Sequence, residues 1–158
     1  MSVNVQKRVE EPGEAEYAER VWTLKERIRK EEDVLKQRRG FFMNAYRRSR
    51  SHLLFRDDEL VGFVTARRDG YVLFLAVAPE ARGEGLGRRL IAEVASDHET
   101  VTCHARTTNQ RALEFYERIG FDIVRRIDGY YEDGGDAYYL KLGEEESLRG
   151  KISEFIRR

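Results

Sequence analysis

The sequence predicts an α+β fold: a mixed, mostly antiparallel sheet flanked by helices on both faces. Three observations predict it. Short β-favouring runs fill the middle of the chain, helical periodicity recurs before and after them, and a glycine-rich turn joins an apolar strand to a helix. The 158 residues suffice for a core without staples, since a domain of roughly 150 residues buries about 68–70% of the surface its unfolded chain exposes. One cysteine, Cys103, excludes an intramolecular disulfide, and with three scattered histidines it lacks the paired spacing of a zinc site. No metal is expected, and a reducing, cytoplasmic setting is. The 29 Lys plus Arg balance 29 Asp plus Glu, which removes the bulk electrostatic argument for nucleic acid. The longest apolar run, Tyr71 to Ala78, is far short of the ~20 residues that cross a bilayer, and Met1 to Arg8 contains no apolar leader core.

Taken in order, Val3 to Val9 alternates apolar and polar residues as a strand does, and Glu11-Pro12-Gly13 stops it. Tyr17, Val21, Leu24 and Ile28 form one stripe of a charged helix. A second helix is expected from about 31 to 48, carrying Val34, Leu35, Phe41, Phe42 and Tyr46, with Gly40 as its kink or break. The period then changes. Ser51 to Phe55, Leu60 to Ala66 and Tyr71 to Val77 read as an antiparallel meander turning at Asp57-Asp58 and at Asp69-Gly70, the latter a two-residue hairpin signal. The apolar run to Val77 predicts a central strand covered on both faces. Leu86, Leu90, Ile91 and Val94 predict a helix, Thr100 to His104 a strand, and Ala112, Leu113, Tyr116 and Ile119 a helix ended by Gly120. Phe121 to Ile127 and Ala137 to Leu142 are the last strands, joined by a loop with Gly129, Gly134 and Gly135. Residues 1–143 read as one domain and 144–158 as a charged amphipathic tail.

The segment from Val77 to Leu90 carries the chemistry. A helix start offers unpaired N–H groups and partial positive charge, and glycines there let a pyrophosphate approach the backbone. The spacing fits neither a P-loop nor the dinucleotide fingerprint. Arg82-x-x-Gly85-x-Gly87 after a strand resembles the acyl-CoA signature of the GNAT superfamily of N-acetyltransferases. Asn109 to Phe121 is similar to that superfamily's N-x-x-A-x-x-[FL]-Y-x-x-x-G-F helix, and Tyr130-Tyr131-Glu132-Asp133-Gly134-Gly135-Asp136-Ala137 to the Y-Y-x-D-G-E-D-A hairpin of protein N-terminal acetyltransferases, including the ribosomal-protein alanine type. Gly135 stands where that pattern has Glu.

The resemblance implies a GNAT fold whose fourth and fifth strands splay to admit pantetheine. It also implies acetyl-CoA as cosubstrate and direct transfer to an amine. It implies a cofactor site of Leu75, Ala76, Val77, Arg82, Gly83, Glu84, Gly85, Leu86, Gly87, Arg88, Asn109 and Tyr116, and acceptor contacts from Tyr130, Tyr131 and Tyr138. Transfer needs a neutral amine, a polarised carbonyl and a proton for the departing thiolate. A free α-amine near pKa 7.7–8.0 asks only for a weak base, and His104 and Tyr71 match a base and its water-linked tyrosine in one branch of the N-terminal enzymes. Tyr116 matches the phenol that protonates the sulfur. A backbone N–H near Val77 or Ala78 would polarise the carbonyl. The acceptor is expected to be a protein N-terminus. A lysine, polyamine or other small amine is the alternative, and a noncatalytic acyl-CoA-binding protein is the reading from another class. The cluster Arg38, Arg39, Arg47, Arg48 and Arg50 is either a solvated face or a contact for an acidic or ribosomal partner. Monomer and homodimer both stay open.

Overall fold

The computed structural model describes residues 4–143, and the expected tail lies outside them. The chain falls into two compact units, one up to Ser96 and one from Asp97. In the first, β1 (Gln6–Glu10), β2 (Arg50–Arg56), β3 (Glu59–Ala66) and β4 (Val72–Val77) form one antiparallel sheet in that order. Helices α1 (Ala18–Glu32) and α2 (Arg39–Arg48) cover one face, where Phe42 stacks on Phe74 at 4.4 Å and meets Phe63 edge-on at 6.4 Å. Helix α3 (Leu86–Asp97) covers the other. Gly62 points away from the Phe63 face, and a Cβ on it would lie 3.4 Å from Leu90 of α3.

The second unit holds β5 (Val101–Arg106), α4 (Gln110–Ile119), β6 (Asp122–Ile127) and β7 (Ala137–Leu142). Its antiparallel sheet runs β5-β7-β6, so β7 is central and β5 is an edge. Strands β4 and β5 belong to different sheets, and every pairing is antiparallel.

Three local expectations need correction. The helix expected over 31–48 begins only at Arg39, and Gly40 sits in its first turn instead of breaking it. The break comes earlier, at Asp33 and Leu35, both with φ 57. Buried Lys25 supports that break by donating to the carbonyl of Gln37 at 2.5 Å, a group a continuous helix would have used. The tight two-residue turn is Asp57-Asp58, with φ 51 and 64 and Arg56 opposite Glu59. Asp69-Gly70 belongs to a longer loop instead. Gly70 (φ +86) donates to the Arg67 carbonyl at 3.0 Å, and Arg67 donates to that of Tyr71 at 2.9 Å. Finally, β4 is an edge strand of its sheet, burying Val72, Phe74 and Ala76 while Leu73, Leu75 and Val77 stay half-buried. An unbroken apolar run does not distinguish two covered faces from one covered and one half-open face.

Candidate active site

The end of β4 leads through a short 3-10 turn at Pro79–Ala81 into the glycine-rich turn and α3. Gly83 and Gly85 adopt φ +81 and +82, a region that favours glycine, and a Cβ on either would meet no atom within 4 Å. The turn is an open cradle. Arg89 N–H donates to the Gly85 carbonyl at 3.0 Å, so the N–H groups of Leu86, Gly87 and Arg88 precede the first intrahelical donors. The backbone here fits a diphosphate, and Leu86 is buried beneath it.

Two expected side chains have protein partners instead. Arg82 holds Glu32 of α1 bidentately at 2.6 and 3.1 Å, and its Nε donates to the Val77 carbonyl at 3.1 Å. Beside it Arg27 grips Glu80 at 2.5 and 3.0 Å, which holds the Glu80 carboxyl down at about 2. These pairs tie α1 to the start of the turn. Glu84 pairs with Arg56, and Arg88 and Arg89 are the exposed cations of the segment.

The oxyanion donor can be narrowed. Ala78 N–H is committed to the Val61 carbonyl at 2.8 Å. Strand alternation then turns Val77 N–H toward the free edge of β4, so Val77 is the candidate and Ala78 is not. Tyr71 lies outside β4, in the hairpin, with the Arg67 guanidinium 4.5 Å over its ring.

In the second unit, β5 presents different chemistry on its two faces. Cys103 is buried, and burial pushes its thiol up to about 12 while it hydrogen-bonds the Tyr116 hydroxyl. Tyr116 is 7% exposed and packs on Phe121 at 5.0 Å, so it serves the core as well. Asn109 caps α4 by accepting from Ala112 N–H at 3.1 Å, and Gly120 ends the helix at φ 118. His104 faces the opposite way. Tyr130 stacks on its imidazole at 4.2 Å and 12°, Tyr139 tilts against it at 5.0 Å, and Tyr131 meets Tyr130 edge-on at 4.9 Å.

Two of the three expected acceptor tyrosines therefore gather at His104. Tyr138 does not, because it pairs with Ala105 and shares the face of Cys103. Tyr139, opposite His104, takes that place; the period-2 pairing could have found it, but the pattern match drew attention to its neighbour. Arg106, 4.0 Å over Tyr131, and Arg125, 4.7 Å over Tyr139, were also missed. Of the basic cluster, Arg39 pairs with Glu19 and Arg50 with Glu11. Among the described residues no group of acidic, histidine and cysteine side chains could hold a metal, and no helix is long and apolar enough to cross a membrane.

Comparison with known proteins bears on this geometry. Residues 14–121 match the acetyltransferase (GNAT) family. N-alpha-acetyltransferase 30 of Xenopus laevis is 35% identical over 98 residues, 54% of this chain and 36% of that protein, so the chain spans about a third of that relative's length. The structure resembles the ribosomal-protein-S18-alanine N-acetyltransferase of Escherichia coli, with TM-score 0.69 and 20% identity over 87% of this chain and 93% of that one. It also resembles Arabidopsis thaliana NAA60 in complex with acetyl-CoA, with TM-score 0.63 and 22% identity over 89% of this chain and 99% of that one. The open cradle, the helix capped by Asn109 and the match over 14–121 agree: this chain belongs to the acetyltransferase (GNAT) family.

Proposed function

We propose that the protein transfers acetyl from acetyl-CoA to a protein N-terminal α-amine, without a metal, in the cytoplasm. The observation that carries this reading is the stack of Tyr130 on His104 with Tyr131 against it. Rigid phenols suit the backbone groups of a peptide's first residue, and a weak base suffices for an α-amine near pKa 7.7–8.0 where a lysine near 10.4 would need more. The N-alpha-acetyltransferase relative supports the same acceptor.

Acetyl-CoA supplies the thioester when bound. The N–H groups at the start of α3 and the Gly83–Gly85 cradle receive its diphosphate, with Arg88 an exposed cation beside them and Asn109 a further contact. Arg82 acts through the backbone it holds. Half-buried Leu75 and Val77 line β4, and Val77 N–H polarises the acetyl carbonyl. His104 accepts the amine proton through water, and Tyr116 gives its proton to the departing thiolate, exchanging its bond to Cys103. A ribosomal or acidic partner has less support, since Arg39 and Arg50 already pair with acids.

The test is thiol release from acetyl-CoA against short peptides with free N-termini, beside N-terminally blocked lysine peptides and polyamines. Release with free N-termini alone is expected, and Gly85→Glu, which fills the cradle with a like charge, abolishes it. Release with lysine or polyamines alone moves the acceptor, and binding without release from any acceptor favours a noncatalytic protein.

A further inference from the structure

Gly135 stands where the N-terminal acetyltransferase hairpin pattern carries Glu, and another side chain uses the space. A Cβ on Gly135 would lie 2.4 Å from Nη1 of Arg106 and 3.1 Å from Oδ1 of Asp133. The guanidinium sits where a side chain would begin. From there it lies 4.0 Å over the Tyr131 ring and pairs with Asp133 at 3.0 Å, its side chain only 19% exposed. The turn beneath is closed by Gly135 N–H donating to Asp133 at 2.9 Å and Tyr131 N–H donating to the Gly135 carbonyl at 3.0 Å. Tyr131 braces Tyr130, and Tyr130 stacks on His104. A continuous line of contacts runs from Arg106 to the imidazole.

We propose that Arg106 is a positioning residue for the acceptor: seated over Tyr131 in the space Gly135 leaves, it holds Tyr131, Tyr130 and through them His104 in the arrangement that receives a peptide N-terminus. This rests on the reading of those residues as the acceptor site. A guanidinium suits the task, since it is planar, stacks on a ring face and pairs sideways with a carboxylate, which an ammonium does less well. Gly135 lies outside the left-handed region, so alanine fits its backbone, and the atoms nearest its Cβ are those of Arg106 and Asp133. Gly135→Ala therefore displaces the guanidinium without deleting a charge.

The experiment uses the full chain with Gly135→Ala, Arg106→Ala, both together, and Arg106→Lys. The His104 ring protons, assigned among three histidines by comparison with His104→Gln, report the stack by NMR through the upfield shift that Tyr130 imposes. That shift shrinks in Gly135→Ala and in Arg106→Ala, no further in the double variant, and Arg106→Lys does not restore it. Steady-state transfer to a peptide with a free N-terminus then shows its KM raised about tenfold in both single variants, with the acetyl-CoA KM unmoved. An unchanged His104 signal, additive effects, or an equal rise in the acetyl-CoA KM overturns the proposal. If Arg106→Ala fails to fold, Gly135→Ala carries the test. Loss of transfer in His104→Gln with normal kinetics in Gly135→Ala removes only the role of Arg106, whereas normal transfer in His104→Gln removes the acceptor reading itself.

Discussion

Tyr116 carries two loads, and they can be separated. Its ring fills the core beside Phe121, and its hydroxyl meets the Cys103 thiol, which burial keeps protonated up to about 12. A neutral thiol is a weak partner, so the phenol can exchange it for a departing thiolate. Tyr116→Phe is expected to lower kcat roughly 100-fold with little change in the acetyl-CoA KM. Cys103→Ala removes the same hydrogen bond and spares the phenol, so it is expected to keep kcat. Equal loss in both variants, or weakened acetyl-CoA binding with kcat intact, contradicts the acid role. The positions of Tyr116, His104, Tyr130 and Tyr131 were legible because motif spacing names them. Arg106 was not, since its place depends on an empty side at Gly135, far along the chain.

At the scale of elements, the crossed pairs Arg27–Glu80 and Glu32–Arg82 fasten α1 to the turn after β4. Their pH dependence follows from Glu80, whose hydrogen bonds from Arg27 lower its carboxyl from 4.5 to about 2. A carboxyl depressed in the folded state stabilises the protein above its unfolded value and ceases to do so as pH falls through the folded one. Wild type is therefore expected to exceed Glu80→Gln in stability above pH 4.5 and to lose that advantage toward pH 2. The pair is half-exposed and screened, so the difference is about 0.5 kcal/mol. Urea unfolding at a series of pH values measures it, and a difference independent of pH contradicts the assignment. Such pairings explain which elements the sequence concealed. The break after α1 depends on buried Lys25 reaching Gln37, and periodicity does not register a cation seeking a carbonyl. The helices at 86–97 and 110–119 were legible because each carries its apolar stripe within its own segment, and Gly120 marks the end of the second.

For the molecule as a whole, charge balance explains little and placement explains much. Twenty-nine cations and 29 anions cancel, yet they are spent locally, on the turn after β4 and on the hairpin tyrosines. The glycine cradle belongs to the first unit and the His104–tyrosine stack to the second, each organised by its own sheet. The family was legible from spacing because backbone recognition of a diphosphate leaves glycines behind; around His104 the motif named Tyr130 and Tyr131, whereas Tyr139 and Arg106 emerge only from strand pairing and from the empty side of Gly135. The most direct measurement of the central claim offers one peptide carrying both a free α-amine and a lysine to the protein with acetyl-CoA, and locates the acetyl group by tandem mass spectrometry. The account predicts acetyl on the α-amine alone, lost in His104→Gln. Acetyl on the lysine, or equally on both amines, would contradict it.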